Sequence, residues 1–483
     1  MNHADAARAN EGLAGAQEQQ PPVQRGRVFA IVALALLMMS VDSTIVATAL
    51  HALQHGLGTS INWAGWTITA YSFGFVLMLP VAGKLSERYG CRRVFLASVV
   101  AFTLASLACG LAQNIFVLIA LRIVQAAGGA GFTPSATGII VDHFGAARDR
   151  AVSLFGSIFP IGAMIGPVFG GLFVAYWSWR GVFFVNVPIG VAIFLLARRH
   201  VPRDRPRARG ARLGMDAGSA RARMDAAGMA LLATALLAGM LAVSWLGEHR
   251  GLLAWGGFAL LAAVASAAAW RFFGHIGRSP TPFIAPRLIR GAGFGAVNLV
   301  NLIFGGVANG AMALLPLFAV NRYGMDALTS GSLLVSQGAA AIALSLAAAF
   351  ALRRTGHRLP IYAGGAMIAA GTLLIALPPP AGIAPIHWLV GAAFLVGAGR
   401  GTINPASRNA GLQLAPEHSS TLAALRTASL QIGSISTVSV VTAMLARFAD
   451  PGGAQAWIYA ALALLLAAAL PLVARVPEHR GAW

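Results

Sequence analysis

Long apolar segments follow one another along this chain and are separated by short polar connections. A helix of about 20 apolar residues, at 1.5 Å per residue, is long enough to cross the roughly 30 Å hydrocarbon layer of a membrane. The pattern therefore predicts an all-α polytopic membrane protein with fourteen transmembrane helices. They are expected at residues 28–50, 63–83, 94–112, 115–141, 152–175, 180–197, 226–246, 252–273, 294–320, 331–351, 360–377, 386–410, 421–447 and 453–475.

The longest interruption in this series is an arginine-rich stretch, which we interpret as a basic cytoplasmic linker. Six predicted helices precede it, and the first two that follow it form an extra pair. The start of the chain lacks the apolar core of a signal peptide and is expected to be disordered. The expected organisation is a cytoplasmic tail at 1–27, a six-helix bundle at 28–197, the linker at 198–225, the helix pair at 226–273, a cytoplasmic loop at 274–293, a second six-helix bundle at 294–475 and a tail at 476–483.

Two short strings recur at matching positions of the two bundles. Gly-Gly-Ala-Gly-Phe-Thr-Pro at 128–134 is echoed by Gly-Arg-Gly-Thr-Ile-Asn-Pro at 399–405, each in the fourth helix of its bundle. Arg-Tyr-Gly-Cys-Arg-Arg at 88–93 is echoed by Arg-Arg-Thr-Gly-His-Arg at 353–358, each between the second and third helices. Such weak internal symmetry is typical of transporters built from structural repeats. The two bundles are therefore expected to be pseudo-repeats.

Composition and charge support a membrane location. Hydrophobic residues make up 57% of the chain and charged residues 10%, against about 25% charged in a soluble domain. The tails and even-numbered connections hold 28 of the 35 lysines and arginines, which predicts both termini in the cytoplasm. This topology accounts for the net charge of +20 without a nucleic-acid partner. The odd-numbered connections hold only Arg180, Arg250, Arg322 and Arg447.

The sequence offers no sign of a metal, nucleotide or redox cofactor. The two cysteines, Cys91 and Cys109, have no spacing typical of a metal site or a disulfide framework. A phosphate-binding Gly-Lys-Ser/Thr loop is missing from the sequence, which argues against an ATP-driven pump. We therefore expect no cofactor; the buried acid described next suggests the proton motive force as the energy source of any transport.

Asp42 is the one acidic residue inside the fourteen predicted spans. A charged side chain at bilayer depth costs about 2.5–3.5 kcal/mol, so a function is expected: proton coupling, an ion site or a counter-charge for the substrate. At 1.5 Å per residue, Asp42 lies about 12 Å from the outer end of helix 1 and Arg122 about 10 Å from the same side of helix 4. The two side chains can therefore meet, and Arg122 would then tune the carboxylate. The alternatives are a structural buried salt bridge or a protonated carboxyl bonded to a neighbouring helix.

Further polar and aromatic residues inside the spans are candidates for a substrate cavity, each with a structural alternative. The aromatic residues suit a membrane-interface belt equally well, and the asparagines suit hydrogen bonds between helices. Arg400 either extends to the cytoplasm or meets an anionic substrate group. His51 and His55, at the mouth, either pass protons to Asp42 or are ordinary interfacial residues. The cavity candidates are Trp66, Tyr71, Gln125, Asn298, Asn301 and Arg400.

The connection between predicted helices 2 and 3 places an acid among glycines and arginines. It reads Gly-Lys-Leu-Ser-Glu-Arg-Tyr-Gly-Cys-Arg-Arg at 83–93 and resembles the loop 2–3 signature of the major facilitator superfamily, with Glu87 where aspartate is usual. The resemblance implies a conformational gate in which the acid meets the N-terminus of the helix that opens at Ser419. The alternative is a basic loop that only sets topology. The implied gate residues are Gly83, Glu87, Arg88, Gly90, Arg92 and Arg93.

Predicted helix 5 contains Gly-Ala-Met-Ile-Gly-Pro-Val-Phe-Gly-Gly at 162–171. Glycines four residues apart share one helix face and permit close packing, and a proline bends the segment. The string resembles the antiporter signature of drug:proton exchangers, and the strings at 41–50 and 179–190 are similar to the fourteen-helix branch of that group. Ala47 and His51 depart from its usual asparagine and proline. The residues implied in helix packing are Gly162, Gly166, Pro167, Gly170 and Gly171.

The resemblance implies a proton-coupled antiporter that exports lipophilic or drug-like molecules by alternating access between its two bundles. A bacterial cytoplasmic membrane is the implied location, with protons, the exported molecule and membrane lipid as partners. Some relatives also use a periplasmic adaptor, and the sequence leaves that partner open. Two other readings stay open: a superfamily carrier for a specific metabolite, and a membrane scaffold or sensor that does not transport.

Overall fold

The computed structural model describes residues 24–144, 148–204, 225–279, 288, 291, 293–414 and 419–478. This part of the chain forms long helices joined by short connections and contains no strand. The helices are α1 (Arg25–Gly56), α2 (Ile61–Tyr89), α3 (Cys91–Leu111), α4 (Ile115–Ala130 and Phe132–His143), α5 (Arg148–Tyr176), α6 (Gly181–Phe184 and Asn186–His200), α7 (Ala226–Glu248), α8 (Gly251–Arg278), α9 (Phe294–Val300, Asn301–Val307, Ala308–Ala313 and Leu315–Tyr323), α10 (Ala327–Thr355), α11 (Arg358–Ala376), α12 (Pro385–Leu414), α13 (Ser419–Leu445) and α14 (Pro451–Ala469 and Leu470–Arg475).

Each of the fourteen predicted spans coincides with one of these helices. Within the described residues, 12 helices are long and apolar enough to cross a membrane. The other two, α2 and α5, are each 29 residues long, and the part of α5 at Met164–Tyr176 is a shorter apolar helix. The predicted all-α membrane fold is confirmed.

Several helices extend beyond their predicted ends into basic sequence. The first helix already begins at Arg25, inside the predicted tail, α6 continues to His200, and α8 continues to Arg278, inside the predicted loop. Cationic side chains are favourable in the last turn of a helix, where the backbone carbonyl groups carry partial negative charge. Basic residues therefore did not end α6 and α8 where their apolar stretches stop. Residues 1–23 and 205–224, which include most of the predicted tail and linker, lie outside the described residues.

Short polar side chains begin several of the helices. In each case the side-chain oxygen of the capping residue accepts a hydrogen bond from a backbone N–H of the first turn, a group with no partner inside the helix. At α10, hydrogen bonds from the Thr329 hydroxyl and backbone N–H hold the pKa of Asp326 below its ordinary value. The capping residues are Ser60, Asn114, Asp225, Asp326 and Asp450.

The same helix pairs pack together in both halves of the chain. The first and fifth helices, the second and fourth, the third and fourth, and the third and sixth are in contact in each half. These pairs are α1–α5, α2–α4, α3–α4 and α3–α6 before the central pair, and α9–α13, α10–α12, α11–α12 and α11–α14 after it. Packing thus supports the repeat that two short sequence echoes had suggested.

The two bundles are held together by reciprocal contacts, α5 against α10 and α2 against α13. We call the end at which α1 begins the inner end and the opposite end the outer end. A methyl group added at Gly171 would lie 2.7 Å from the Ala327 carbonyl oxygen, and one at Gly65 would lie 2.7 Å from Thr442. Both approaches are near the outer end, so the bundles are in tight contact there.

The central helix pair lies across the seam between the bundles. Its first helix, α7, packs against α2 and α13, whereas only 11% of the α8 span is buried. Trp66 Nε1 donates to Ser244 Oγ at 2.6 Å, and Arg447 Nη2 donates to the His249 carbonyl oxygen at 2.6 Å. The outer end of α7 is therefore attached to both bundles, whereas α8 packs mainly against α7.

Candidate functional site

Asp42 is completely buried on α1, and its carboxylate accepts three hydrogen bonds from two other helices. Arg122 Nη1 donates to Oδ2 at 2.8 Å. Gln125 Nε2 and Asn186 Nδ2 donate to Oδ1 at 2.8 Å and 2.7 Å. The structure thus places Asp42 and Arg122, which the sequence put at similar depth, in direct contact on α1 and α4, and it adds α6 to the site.

Gln125 connects the charged pair to α3. Its Oε1 accepts a second bond from Arg122 Nη1 at 2.6 Å, and its Nε2 also donates to Ser106 Oγ at 2.6 Å. On the other side, Arg122 Nε donates to the Thr67 carbonyl oxygen at 3.1 Å, which ties the guanidinium to the α2 backbone. Asp42, Arg122, Gln125, Asn186 and Ser106, hereafter the Asp42 network, therefore join α1, α3, α4 and α6.

Aromatic rings cover the guanidinium of this network. The Tyr71 ring centre lies 4.2 Å and the Phe183 ring centre 5.6 Å from Arg122 Cζ. Contacts of a desolvated cation with an aromatic face contribute about 2 kcal/mol. Among the described residues the Tyr71 hydroxyl has no hydrogen-bond partner. Arg122 is therefore held by charge, hydrogen bonds and ring faces at once.

The hydrogen bonds around Asp42 match a carboxylate that accepts only. Three donors and no competing acceptor match an ionised carboxylate, whose two oxygens accept hydrogen bonds only. Adding a proton to Asp42 would remove the charge that compensates Arg122, and an uncompensated buried charge is costly. The buried Arg122 charge is therefore compensated by Asp42 in this arrangement.

Sequence analysis gave no role to Asn186 or Ser106. Both are buried polar residues inside predicted apolar spans. That is the signal that could have drawn attention to them, since buried polar groups need hydrogen-bond partners. Their spans alone do not say which neighbour they bond, because that depends on how each helix is rotated about its axis.

The glycines of α5 face two different helices. Methyl groups added at Gly162, Gly166 and Gly170 would lie 2.5 Å from Ser40, 2.2 Å from Thr44 Oγ1 and 2.4 Å from the Ile45 carbonyl oxygen, all on α1. Gly171 instead faces the start of α10 in the other bundle. On α10, a methyl group at Gly331 would lie 2.5 Å from the Pro167 carbonyl oxygen. Helix α5 is therefore packed without space between α1 and α10.

The predicted gate loop contains a turn that favours glycine. Gly90 has φ +98°, and the Asp204 carboxylate accepts from the backbone N–H of Arg92 at 2.8 Å and of Arg93 at 3.3 Å. Arg92 Nη2 also donates to the Arg198 carbonyl oxygen at 2.8 Å. An acid does occupy a helix N-terminus here, but it is Asp204 at the start of α3.

Other gate residues have fewer contacts. The Arg88 guanidinium lies 5.3 Å from the Tyr89 ring centre, and nothing lies within 4 Å of a methyl group added at Gly83. The side chains of Glu87 and Ser419 lie outside the described residues. The contact between Glu87 and the start of α13 therefore stays a prediction.

The second half repeats this capping arrangement. Gly356 has φ +70°, and the Glu478 carboxylate accepts from the backbone N–H of His357 at 2.9 Å and of Arg358 at 3.3 Å. In each half, an acid from the segment after the sixth helix thus caps the third helix. Sequence analysis missed this third echo, Val-Pro-Arg-Asp at 201–204 and Val-Pro-Glu at 476–478.

Comparison with known proteins identifies the family. The Major Facilitator Superfamily model matches residues 32–438. The chain belongs to this superfamily. Its members are transporters rather than enzymes, so the buried Asp42 network lies in a transporter fold.

Three relatives match between 71% and 97% of this chain. The chain is 29% identical to the methylenomycin A resistance protein of Streptomyces coelicolor, over 97% of this chain and 98% of that protein. It is 32% identical to the cephamycin export protein CmcT of Amycolatopsis lactamdurans, over 75% and 73%. The match to the multidrug resistance protein B homolog of Mycobacterium tuberculosis is 30% identical over 71% of this chain, and it spans 62% of that relative's length.

Solved superfamily structures share the fold. A peptide transporter POT in complex with sulfate aligns with a TM-score of 0.65 at 17% identity, over 94% of this chain and 96% of that one. The inward-open xylose transporter XylE of E. coli aligns with a TM-score of 0.60 at 12% identity, over 95% and 97%. At these identities the likeness concerns the fold alone.

Three of the predicted cavity residues of this superfamily member are buried in the first bundle. Trp66, bonded to α7, is 4% exposed, Tyr71 covers Arg122, and Gln125 belongs to the Asp42 network. They form part of the packed wall in this conformation, and their assignment to a cavity stays a prediction.

The other three cavity candidates lie in the second bundle. Asn298 Nδ2 donates to the Leu288 carbonyl oxygen at 3.0 Å. Asn301 begins a π-helical turn of α9, and its Nδ2 has no partner among the described residues. Arg400 is half-buried on α12. The Arg426 Nη2 of α13 donates to Asn404 Oδ1 one turn further along α12, at 2.5 Å. Arginine and amide side chains thus gather where α12 meets α13.

His51 and His55 are in edge-to-face contact with ring centres 4.5 Å apart, near the outer end of α1. Within the described residues, no group of three or more potential metal ligands lies together.

A cavity of about 630 Å³ lies at the inner ends of α7 and α8, with Leu231, Trp270 and Arg271 among its lining residues. None of the predicted cavity residues lines it, so this cavity is separate from the Asp42 network.

Proposed function

We propose that the chain is a proton-coupled antiporter that exports lipophilic or drug-like molecules from the bacterial cytoplasm, with both termini on the cytoplasmic side. The observation that carries the proposal is the Asp42 network, because it isolates the one acid of the predicted spans in a pair that a single proton would disrupt. The names of the resistance and export relatives support drug-like cargo.

Proton uptake at Asp42 has a direct structural path to the contact between the bundles. Protonation weakens the bonds that tie α1 to Arg122 on α4 and to Asn186 on α6. Helix α1 is packed against the α5 glycines, and α5 is packed against α10 of the second bundle. A small rotation of α1 therefore has to move α5 against α10, since these contacts leave no free space. In this scheme Asp42 takes its proton from the outer side and releases it on the inner side.

The test is efflux from the purified, full-length protein in liposomes with an imposed pH gradient and a panel of lipophilic compounds. We expect gradient-driven transport by the wild type and none by Asp42→Asn, which keeps the size of the side chain but cannot carry the proton. Asp326→Asn is the matched control, because it makes the same chemical change at a helix cap where asparagine also functions. Undiminished transport by Asp42→Asn contradicts the proposal.

A further inference from the structure

Three arginines gather on the inner half of the second bundle. Arg400, Asn404 and Arg408 are spaced by four along α12 and therefore share one helix face. Arg426 reaches this face from α13 through its bond to Asn404. The charges of Arg408 and Arg400 both act on Arg426. We call Arg400, Arg408 and Arg426 the arginine cluster.

The helices of the second bundle supply no acid to balance this cluster. From residue 294 to residue 475 the acids are Asp326, Glu417 and Asp450. Asp326 and Asp450 cap helices at the outer end, and Glu417 is in the α12–α13 connection, outside the described residues. Among the described residues Arg426 Nε has no hydrogen-bond partner, and Arg400 is in no ion pair within that part of the chain.

The position of Arg400 also argues against a purely topological role. It lies about 21 Å from the inner end of α12, at 1.5 Å per residue, and about the same distance from the outer end. Arginines that only set topology lie in connections or near helix ends. A cation at the middle of a membrane helix, next to other cations, is costly, and an anion that joins it lowers this cost.

Resting on the exporter function proposed above, we propose that the cargo carries a carboxylate or another oxyanion and that Arg400 and Arg426 bind this group. The guanidinium fork matches the two oxygens of a carboxylate and forms paired charge-assisted hydrogen bonds. The two bundles then divide the work: the first holds the proton and the second holds the anion.

This division determines the charge moved in each cycle. One proton entering on Asp42 carries one positive charge inward. One anion leaving is equivalent to a second positive charge moving inward. Export of a monoanion therefore moves two charges per proton, a neutral compound moves one, and a monocation moves none. An inside-negative potential should accelerate export of the anion more than that of the neutral compound and should leave export of the cation unchanged.

The experiment uses a panel of lipophilic aryl carboxylates, each with its methyl ester and its aminomethyl counterpart. Binding is measured on the full-length protein in nanodiscs, and export is measured in liposomes with and without a valinomycin-imposed potassium potential. We expect the carboxylates to bind at least ten-fold more tightly than the matched esters and ammonium compounds, with potential-stimulated export. Binding or export confined to esters or amines, or no binding of any carboxylate, overturns the proposal.

Arg400→Gln and Arg426→Gln should each weaken carboxylate binding about ten-fold or more and leave ester binding within two-fold. Arg475→Gln, an exposed arginine at the end of α14, is the matched control and should leave both unchanged. Equal losses for carboxylates and esters would show that the arginines are structural and would overturn the proposal. If either variant does not fold, the comparison of carboxylates with their esters and aminomethyl counterparts on the wild type still tests the proposal.

The two proposals can fail separately. Binding of carboxylates that depends on Arg400, without export driven by the pH gradient, would leave the anion site standing and remove the antiporter. Export that is driven by the pH gradient but shows no preference for the charge of the cargo would support the antiporter and overturn the anion site.

Discussion

The two bundles have the same helix packing but treat buried charge in opposite ways. In the first, Arg122 is fully buried and its charge is balanced by Asp42 within 2.8 Å. In the second, Arg400 and Arg426 lie near a third arginine, and neither α12 nor α13 contains an acid. A repeated fold can therefore carry two kinds of site, one balanced internally and one completed by a ligand.

The largest difference in stability between the bundles is expected when one arginine is removed from each. Arg122→Gln leaves Asp42 buried without its cation, a loss of about 3–5 kcal/mol. Arg400→Gln removes a repulsion and breaks no ion pair among the described residues, so the stability should stay the same or rise. Thermal unfolding of the two variants in one detergent measures the difference. Equal destabilisation would mean that Arg400 has an internal partner and that the bundles do not differ in this way.

An added methyl group between the first and fifth helices should destabilise both halves to a similar extent. Gly170→Ala would place a methyl group 2.4 Å from the Ile45 carbonyl oxygen, and Gly433→Ala would place one 2.2 Å from the Leu302 carbonyl oxygen. Overpacking of this kind typically costs about 1–3 kcal/mol.

Gly256→Ala on α8, with nothing within 4 Å, is the control and should stabilise by about 0.5–1 kcal/mol. Unfolding temperatures and transport rates of the three variants measure the effect. A large loss in one half only would show that the packing symmetry is not functional.

The two capping acids offer a weaker test of the same symmetry. Asp204→Ala and Glu478→Ala each remove an acceptor from the first turn of a third helix, which costs about 0.5–2 kcal/mol. We expect similar losses of stability, with hydrogen exchange rising at the start of α3 in one variant and of α11 in the other. An effect on transport from Asp204→Ala alone would tie the first cap to the gate loop.

The smallest expected effect concerns the exposed cap Asp326. Because its folded-state pKa is below the unfolded value of about 3.9, its charge stabilises the fold above that pH, and the contribution is lost as the pH falls through the folded-state pKa. Because solvent screens this exposed group, wild type should exceed Asp326→Asn by only about 0.3 kcal/mol at pH 7, and the difference should vanish once the pH is below the folded-state pKa. A difference that persists below that pKa would rule out the charge as its cause.

The sequence by itself determined the helical segments, the halves and the presence of one acid in the spans. A membrane requires continuous apolar helices of fixed length, so their number and order follow from local composition. Depth along a helix is also local, because each residue adds the same rise, and that placed Asp42 level with Arg122. Superfamily membership was likewise visible in the loop at 83–93 and in the α5 glycines.

Only the tertiary structure decided which helix faces meet. The polar character of Asn186 was visible in the sequence, but its bond to Asp42 depends on the rotation of α6 against α1. The glycine spacing on α5 predicted close packing, yet only the structure assigns one face to α1 and the other to α10. Contacts between helices far apart in the chain arise from rotation and packing about each axis, which the helical period alone does not fix.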